Sequence, residues 1–215
     1  MNLFEEEVDW TSNLKQLIDK YGGRKHPLNY QNLYQLIIMV ILSAKDSDEN
    51  INKLAPIFFE TYPSFESITN SSPQSIIPFI SKIENFKNKA NWIFETAKQI
   101  TTNKEIPLNL NKLTSLKGIG RKSANTILRE MKIPAQGIIV DLHVIRVAPR
   151  IGLTPSYEDG NKIEKELISI FPKQIWNEIG MSISFLGREL CRSQNPKCNL
   201  CPINNHCNYY KSKYQ

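Results

Sequence analysis

The sequence predicts an all-α protein. Most of its 215 residues fall into segments whose apolar side chains recur at helical spacing, and no segment alternates apolar and polar residues long enough to indicate a β-strand. No apolar run reaches the ~18 residues that a membrane-spanning helix requires. These observations favour a water-soluble helical protein with no membrane partner.

The first predicted helix covers residues 5–21. Apolar residues between Val8 and Ile18 lie near helical spacing, and the sequence YGG at 21–23 ends the segment. The acidic start, MNLFEEE, has neither the positive region nor the apolar core of a secretory signal. We therefore expect a cytoplasmic, nucleoid-associated protein.

The strongly apolar segment NLYQLIIMVILSA, which begins at Asn32, predicts a buried helix at the centre of a core. Further helices are predicted by DENINKLAPIFFETY, SPQSIIPFISKI and KNKANWIFETAKQI. Ser72 and Pro73 have the cap and first-turn proline typical of a helix N-terminus. Later in the chain, TPSYEDGNKIEKELISIFP and IWNEIGMSISFLGRELC each predict one more helix.

The stretch LTSLKGIGRKSANTILRE, residues 113–130, places Gly118 and Gly120 on either side of one apolar residue. G-x-G between two helices makes a tight turn whose outward-facing N–H groups can bind phosphate, and the helix N-terminus that follows also favours an anion. A simple corner that needs glycine for steric reasons is an equally good interpretation of G-x-G by itself.

Lys122 lies in the first turn of the helix after this corner, where the helix dipole disfavours a cation. We expect an ammonium there, beside Arg121, to lose its proton more readily, and a neutral amine is a nucleophile. Its position alone does not distinguish this role from that of a surface lysine.

The segment KIPAQGIIVDLHVIRVAPRIGL breaks the helical rhythm at Pro134 and Gly137. A helix is predicted to resume over residues 140–147, with Asp141 near its start. Asp141 can be a helix cap, a functional carboxylate or both. A domain boundary is predicted near residues 132–137.

The net charge of +6 and the pI near 9.1 indicate an anionic partner, and nucleic acid is the first candidate. A solvated lysine-rich face would give the same charge, so the positions of particular residues must decide.

All four cysteines lie near the end of the chain, at Cys191, Cys198, Cys201 and Cys207. Their short span, in a chain without an export signal, indicates one metal or cluster site rather than a disulfide framework. A four-cysteine site holds zinc or an iron–sulfur cluster, and counting ligands does not separate the two.

Three motifs taken together resemble the endonuclease III family of helix-hairpin-helix DNA glycosylases over residues 28–211. These are LTSLKGIGRKSANTIL, IIVDLHVIRVAPRIGL and C-x6-C-x2-C-x5-C. The resemblance implies a two-lobed fold with a cleft: a six-helix domain at 29–136 containing the helix-hairpin-helix (about 109–131), and a cluster domain formed by 1–28 and 137–215. It also implies a [4Fe–4S] cluster held by the four cysteines of loop 191–207.

The resemblance implies that Lys122 and Asp141 are catalytic in a monomeric, bifunctional DNA glycosylase/AP lyase. Its partner would be double-stranded DNA containing abasic sites or damaged bases, with oxidised pyrimidines the first choice. Lys122 would form a Schiff base with the sugar before β-elimination nicks the strand. Asp141 would accept a proton and stabilise positive charge on the sugar.

DNA contacts are expected from the hairpin, the cysteine loop and two further loops. The residues concerned are Lys45, Asn85, Lys117, Gly118, Gly120, Arg121, Arg192 and Lys197. Near Asp141, we expect His143 to pack or hydrogen-bond, and Arg146 and Arg150 to pair with acids or phosphates.

Two stretches depart from the pattern of the family's better known members. LSAKDSD stands where those carry L-S-A-Q-x-T-D, so Lys45 replaces a glutamine; ENFKNKA stands for G-L-Y-N-S-K-A, so Asn85 replaces a leucine. Both positions meet the distorted duplex in the family, which leaves the preferred lesion and the opposite base open. Lys45 could read a guanine edge or reach a phosphate.

Two alternatives remain. A monofunctional glycosylase of the same superfamily would share the cysteines and the aspartate, but Lys122 and the end of the chain soon after Cys207 argue against it. A non-catalytic DNA-binding protein would use the hairpin only to hold phosphates and would need neither Lys122 nor Asp141.

Overall fold

The computed structural model describes residues 8–214, and all regular structure in this range is helical. The prediction of an all-α protein is therefore confirmed. Residues 5–7 of the first predicted helix lie outside the described residues. No helix in this range has both the length and the apolarity needed to cross a bilayer.

Thirteen α-helices and three short 3-10 turns follow one another along residues 8–214. The α-helices are α1 (Trp10–Asn13), α2 (Lys15–Tyr21), α3 (Leu33–Leu42), α4 (Asp48–Thr61), α5 (Phe65–Thr69), α6 (Pro73–Ile80), α7 (Phe86–Ile100), α8 (Leu110–Thr114), α9 (Arg121–Glu130), α10 (Leu142–Ile151), α11 (Gly160–Ile170), α12 (Trp176–Glu189) and α13 (Asn208–Tyr214). The 3-10 turns are Lys173–Ile175, Cys198–Leu200 and Asn204–His206.

The chain forms two compact units. The hairpin unit is Lys25–Gln136, which contains α3 to α9. The cysteine unit combines the described parts of Met1–Arg24 and Gly137–Gln215, which contain α1, α2 and α10 to α13.

Helix α3 lies at the centre of the hairpin unit, as its apolar sequence predicts. Every residue from Leu36 to Leu42 is buried, and α3 packs against α4, α7 and α9. Its N-terminus is fixed by the Asn32 side chain, which accepts a hydrogen bond from the Gln35 N–H at 3.0 Å. A fully buried leucine or isoleucine contributes ~1.5–3 kcal/mol, so this helix organises the unit around it.

Local sequence signals place some helix starts correctly and miss one break. Ser72 caps α6 and Pro73 is its first residue, as predicted. The predicted first helix is instead divided at Leu14, where α1 ends and α2 begins. Helix α1 consists of WTSN, whose last three residues are poor helix formers, so a cap from Asp9 sustains only one turn.

In the cysteine unit, α10 and α12 pack closely because α12 carries glycine at the contacts. A Cβ added at Gly187 would lie 2.8 Å from the Cβ of His143 on α10. At Gly180, it would lie 2.4 Å from the carbonyl oxygen of Ile139, in the segment that leads into α10. The position of α10 therefore depends on two points where α12 has no side chain.

We predict that Gly180→Ala lowers the free energy of unfolding by ~1–3 kcal/mol, because its Cβ would force the backbone at Ile139 to move. Gly160→Ala is the matched control, since a Cβ there would meet its neighbours at 3.5 Å or more. That variant should be unchanged or more stable by up to ~1 kcal/mol. Urea unfolding of both variants measures the difference, and equal effects would contradict the steric explanation.

Candidate active site

The turn between α8 and α9 requires glycine at position 118. Gly118 has a φ of +80°, a conformation that residues with a Cβ rarely adopt. A Cβ there would also lie 2.9 Å from the Trp92 ring and 3.2 Å from Ile41. The steric interpretation of the first glycine in G-x-G is therefore correct.

Gly120 has no such structural reason. Its backbone is extended, it occupies the N-cap of α9, and a Cβ added there would meet nothing within 4 Å in the described structure. Lys117 and Arg121, on either side of the two glycines, are exposed. The second glycine thus leaves open space beside a helix N-terminus and two cationic side chains.

Lys122 is the second residue of α9 and is partly buried. The first turn of this helix contains no acidic residue, and its Gly120 cap provides no side-chain hydrogen bond. The predicted placement of a lysine in the first turn is confirmed. A cation there faces the positive end of the helix dipole.

Asp141 is the N-cap of α10, in the other unit of the chain. Its Oδ1 atom accepts hydrogen bonds from the backbone N–H groups of His143 at 2.9 Å and Val144 at 3.0 Å. The predicted capping role is confirmed. It occupies one carboxylate oxygen and leaves Oδ2 for other contacts.

Two residues of α12 contact that second oxygen, and sequence analysis did not identify either. The Ser184 hydroxyl, which is fully buried, donates a hydrogen bond of 2.6 Å to Asp141 Oδ2. The Arg188 guanidinium lies 3.6 Å from the same atom. The signal was a serine and an arginine four residues apart, which places both on one face of a helix.

The side chain of Asp141 is 11% exposed and is held by backbone and side-chain donors together. A carboxylate with donors on both oxygens has one preferred orientation, and its negative charge is stabilised. This arrangement is suited to a group that must present charge in a fixed direction.

The four cysteines line one cavity of the cysteine unit, together with apolar residues that include Ile151, Leu186 and Ile203. Burial is the main cause that raises the pKa of Cys201 to about 11, and it also raises the pKa of Cys198 and Cys207. Without a cation these thiols would stay protonated. In residues 8–214 no group of three or more His, Cys, Asp or Glu is arranged to hold one metal ion.

Two arginines of α10 hold the start of the cysteine loop, defined as residues 191–207. Arg146 donates from Nη2 to the Gly187 carbonyl at 2.9 Å and from Nε to the Cys191 carbonyl at 3.3 Å. Arg150 donates to the Arg192 carbonyl at 2.8 Å and the Ser193 carbonyl at 3.3 Å.

Of the expected partners, acids or phosphates, the described structure gives these arginines no acid: they bind backbone carbonyls instead, and pairing with phosphates stays a prediction. The last carbonyls of a helix have no hydrogen-bond donors within the helix. Arg146 and Arg150 supply donors to carbonyls at the end of α12 and at the start of the cysteine loop. His143, as expected, hydrogen-bonds near Asp141: its Nδ1 lies 3.2 Å from Arg146 Nη2. In the loop itself, Arg192 and Lys197 are exposed.

Two loops of the hairpin unit carry the positions that depart from the family pattern. Lys45 lies in the first loop (residues 43–47) and Asn85 in the second loop (residues 81–85); both are exposed. Lys45 has a φ of 58° and Asn85 a φ of 59°, so both adopt the left-handed conformation. The Asn85 side chain accepts a 2.7 Å hydrogen bond from Asn88.

Comparisons with known proteins agree with this description. Residues 38–173 match the family described as the HhH-GPD superfamily of base excision DNA repair proteins. Endonuclease III of Synechocystis sp. is 33% identical over 189 residues, which cover 87% of this chain and 86% of that protein.

Solved structures give the same result. The chain is similar to a non-covalent endonuclease III–DNA complex with a TM-score of 0.84 and 29% identity, over 94% of this chain and 95% of that one. It is also similar to a trapped covalent endonuclease III–DNA intermediate with a TM-score of 0.85 and 28% identity, over 95% and 97% of the two chains.

Proposed function

Because the chain belongs to the endonuclease III family of base excision DNA repair proteins, we propose that Lys122 and Asp141 carry out its DNA glycosylase/AP lyase reaction. The family match over residues 38–173 includes both of these residues, and this observation carries the proposal. The protein is thus an enzyme of DNA repair that removes a base and then cuts the strand.

Double-stranded DNA is the proposed partner. Phosphates would bind at the N-terminus of α9, where Gly120 leaves room for close approach and where Lys117 and Arg121 are exposed. Arg192 and Lys197 of the cysteine loop would add further phosphate contacts. The damaged nucleotide is swung out of the stack, which costs least when the base is poorly paired.

Lys122 would act as the nucleophile. Its neutral Nζ forms a bond to C1′ of the everted nucleotide, and the bond from C1′ to the base breaks with its electron pair leaving on the base. Opening of the sugar ring gives a Schiff base. Loss of a C2′ proton then allows the C3′–O bond to break, which nicks the strand on the 3′ side.

Asp141 would remain ionised, accept the proton that the attacking amine releases and stabilise positive charge on the sugar. Its contacts support the ionised state and a fixed orientation, because donors from α10 and α12 reach both carboxylate oxygens. The hydrogen bond from Ser184 fixes the orientation of the group.

The proposed substrates are oxidised pyrimidines and abasic sites. The lesion range depends on Lys45 and Asn85, because these two replacements change a long amide and an apolar side chain into a cation and a short amide. A lysine can donate to guanine O6 and N7, so Lys45 favours guanine as the opposite base.

The four cysteines are the proposed ligands of a [4Fe–4S] cluster. One observation fits this group: the four thiols line a common cavity. A positively charged iron centre would stabilise the thiolates that burial disfavours. The group would fold the cysteine loop and thereby present Arg192 and Lys197.

We predict that Lys122→Ala prevents borohydride trapping on abasic DNA, because the Schiff base that borohydride reduces would form on the Lys122 amine. Asp141→Asn should slow base release roughly 10²–10⁴-fold while still binding DNA, since asparagine also caps a helix well. Lys53→Ala, which removes an exposed lysine of α4, is the control. An adduct undiminished in Lys122→Ala would contradict the assignment.

The same assays separate the rival functions. A monofunctional glycosylase would release the base without nicking or trapping. A non-catalytic binder would bind the duplex and leave an abasic strand intact.

We predict that Ser184→Ala lowers kcat roughly 10- to 100-fold with little change in KM, because a lost hydrogen bond to a charged group corresponds to ~1.5–3 kcal/mol. Ser182→Ala is the matched control: Ser182 is equally buried on α12, and its hydroxyl has no hydrogen-bond partner among the described residues. Single-turnover kinetics measure both, and equal losses in the two variants would refute the role of Ser184.

We predict that anaerobically purified protein is coloured and contains iron and sulfide in equal amounts. Cys201→Ser should reduce the iron content and the visible absorbance, because Cys201 would be one of four ligands. Metal analysis and spectroscopy provide the readout without an activity assay. Colourless protein with stoichiometric zinc would rule out the cluster.

A further inference from the structure

A hydrogen bond joins the two loops that carry Lys45 and Asn85. Its acceptor is a side chain of the first loop, and its donor is a backbone N–H of the second loop. Asp46 Oδ2, in the first loop, accepts a hydrogen bond from the Glu84 N–H, in the second loop, at 3.3 Å. Asp46 directly follows Lys45, and Glu84 directly precedes Asn85. The link therefore connects the immediate neighbours of the two exposed residues.

The other oxygen of Asp46 fixes the carboxylate to its own loop and to the start of α4. Oδ1 accepts from the Ser47 N–H at 2.8 Å and from Asn50 Nδ2 at 3.0 Å. Partial burial opposes the charge of Asp46, but these hydrogen bonds, that from Glu84 and the charge of Lys89 together lower its pKa below the ordinary value. The carboxylate that joins the loops is thus held at several points.

Lys89 on α7 is a buried residue that supports the same link through a hydrogen bond and its charge. Its side chain is 1% exposed, and its Nζ donates a 2.7 Å hydrogen bond to the Leu42 carbonyl at the end of α3. Burial lowers the pKa of Lys89, while the charges of Asp46 and Glu84 raise it in part. One buried ammonium therefore ties α7, which follows the second loop, to α3, which precedes the first.

This arrangement lies directly beside two residues with a Cβ at positive φ, Lys45 and Asn85. The left-handed conformation costs free energy for lysine, and less for asparagine. Such conformations persist where the surrounding structure imposes them. Here both residues in this conformation are exposed, and the Asn85 side chain accepts a hydrogen bond from Asn88.

We propose that Asp46, supported by Lys89, is a positioning residue that couples Lys45 and Asn85, so that both meet the distorted base pair as one preformed unit. This inference rests on the proposed function. A preformed pair of loops loses less conformational freedom on binding than two independent loops would lose. It also makes the contribution of each exposed residue depend on the other.

A double-mutant cycle between Lys45 and Asn85 tests the coupling. The Kd is measured for a duplex with one tetrahydrofuran abasic-site analogue. The variants compared are Lys45→Ala, Asn85→Ala and the double variant. Each is made once with Asp46 present and once together with Asp46→Ala. With Asp46 present, the change in Kd of the double variant should differ by about threefold or more from the product of the changes in the two single variants. With Asp46→Ala the coupling should disappear.

Glu49→Ala provides the matched control, because it removes a carboxylate from the same helix start. Glu49 is exposed and forms an ion pair with Lys53 on α4, without reaching the second loop. The coupling between Lys45 and Asn85 should be unchanged in this variant. Coupling that survives in Asp46→Ala, or is lost equally in Glu49→Ala, would overturn the inference.

Further measurements separate folding from positioning. If Asp46→Ala lacks a cooperative unfolding transition, the same cycle in Lys89→Met decides, and coupling that persists there overturns the inference. Wild-type protein that nicks abasic DNA but shows no coupling overturns this inference alone. Wild-type protein that neither prefers the abasic analogue to undamaged duplex nor nicks abasic DNA overturns the proposed function and the inference with it.

Discussion

The close contact between α10 and α12 is the constraint on which the cysteine unit depends. Because Gly187 has no side chain, α12 comes near enough to α10 for Ser184 to reach Asp141 and for Arg146 to reach the carbonyls at the end of α12. The proposed catalytic carboxylate and the start of the cysteine loop are therefore supported by the same pair of helices. A disturbance of either helix would be felt at both places.

In the hairpin unit, the two glycines of the turn before α9 have different roles. Gly118 serves the fold, since its φ and its contact with Trp92 exclude a side chain, whereas Gly120 faces open space. The first glycine is therefore required by packing in the protein interior, whereas the second leaves space at the surface. Lys122 is the second residue of the helix that this turn begins.

Sequence analysis succeeded where the deciding information is local. The apolar run of α3, the Ser72 cap and the placement of Asp141 and Lys122 at helix starts depend on neighbours within a few residues. It failed where a contact joins segments far apart in the chain: Ser184 with Asp141, Arg150 with the cysteine loop, and Asp46 with Glu84. Those contacts depend on how helices and loops pack: spacing can place Ser184 and Arg188 on one face of α12, but it does not tell which residue that face meets.

In the first and second loops, the residues that hold the loops together differ from the residues that the loops expose. Their supports, Lys89 and Asp46, are buried or half-buried, whereas Lys45 and Asn85 are exposed. Because both positions have a positive φ, the replacements that cost least stability are those that tolerate the left-handed conformation, such as glycine and asparagine. A substitution at position 45 or 85 can therefore alter what the two loops present at the surface, while the hydrogen bonds of Asp46 and Lys89 beneath them stay in place.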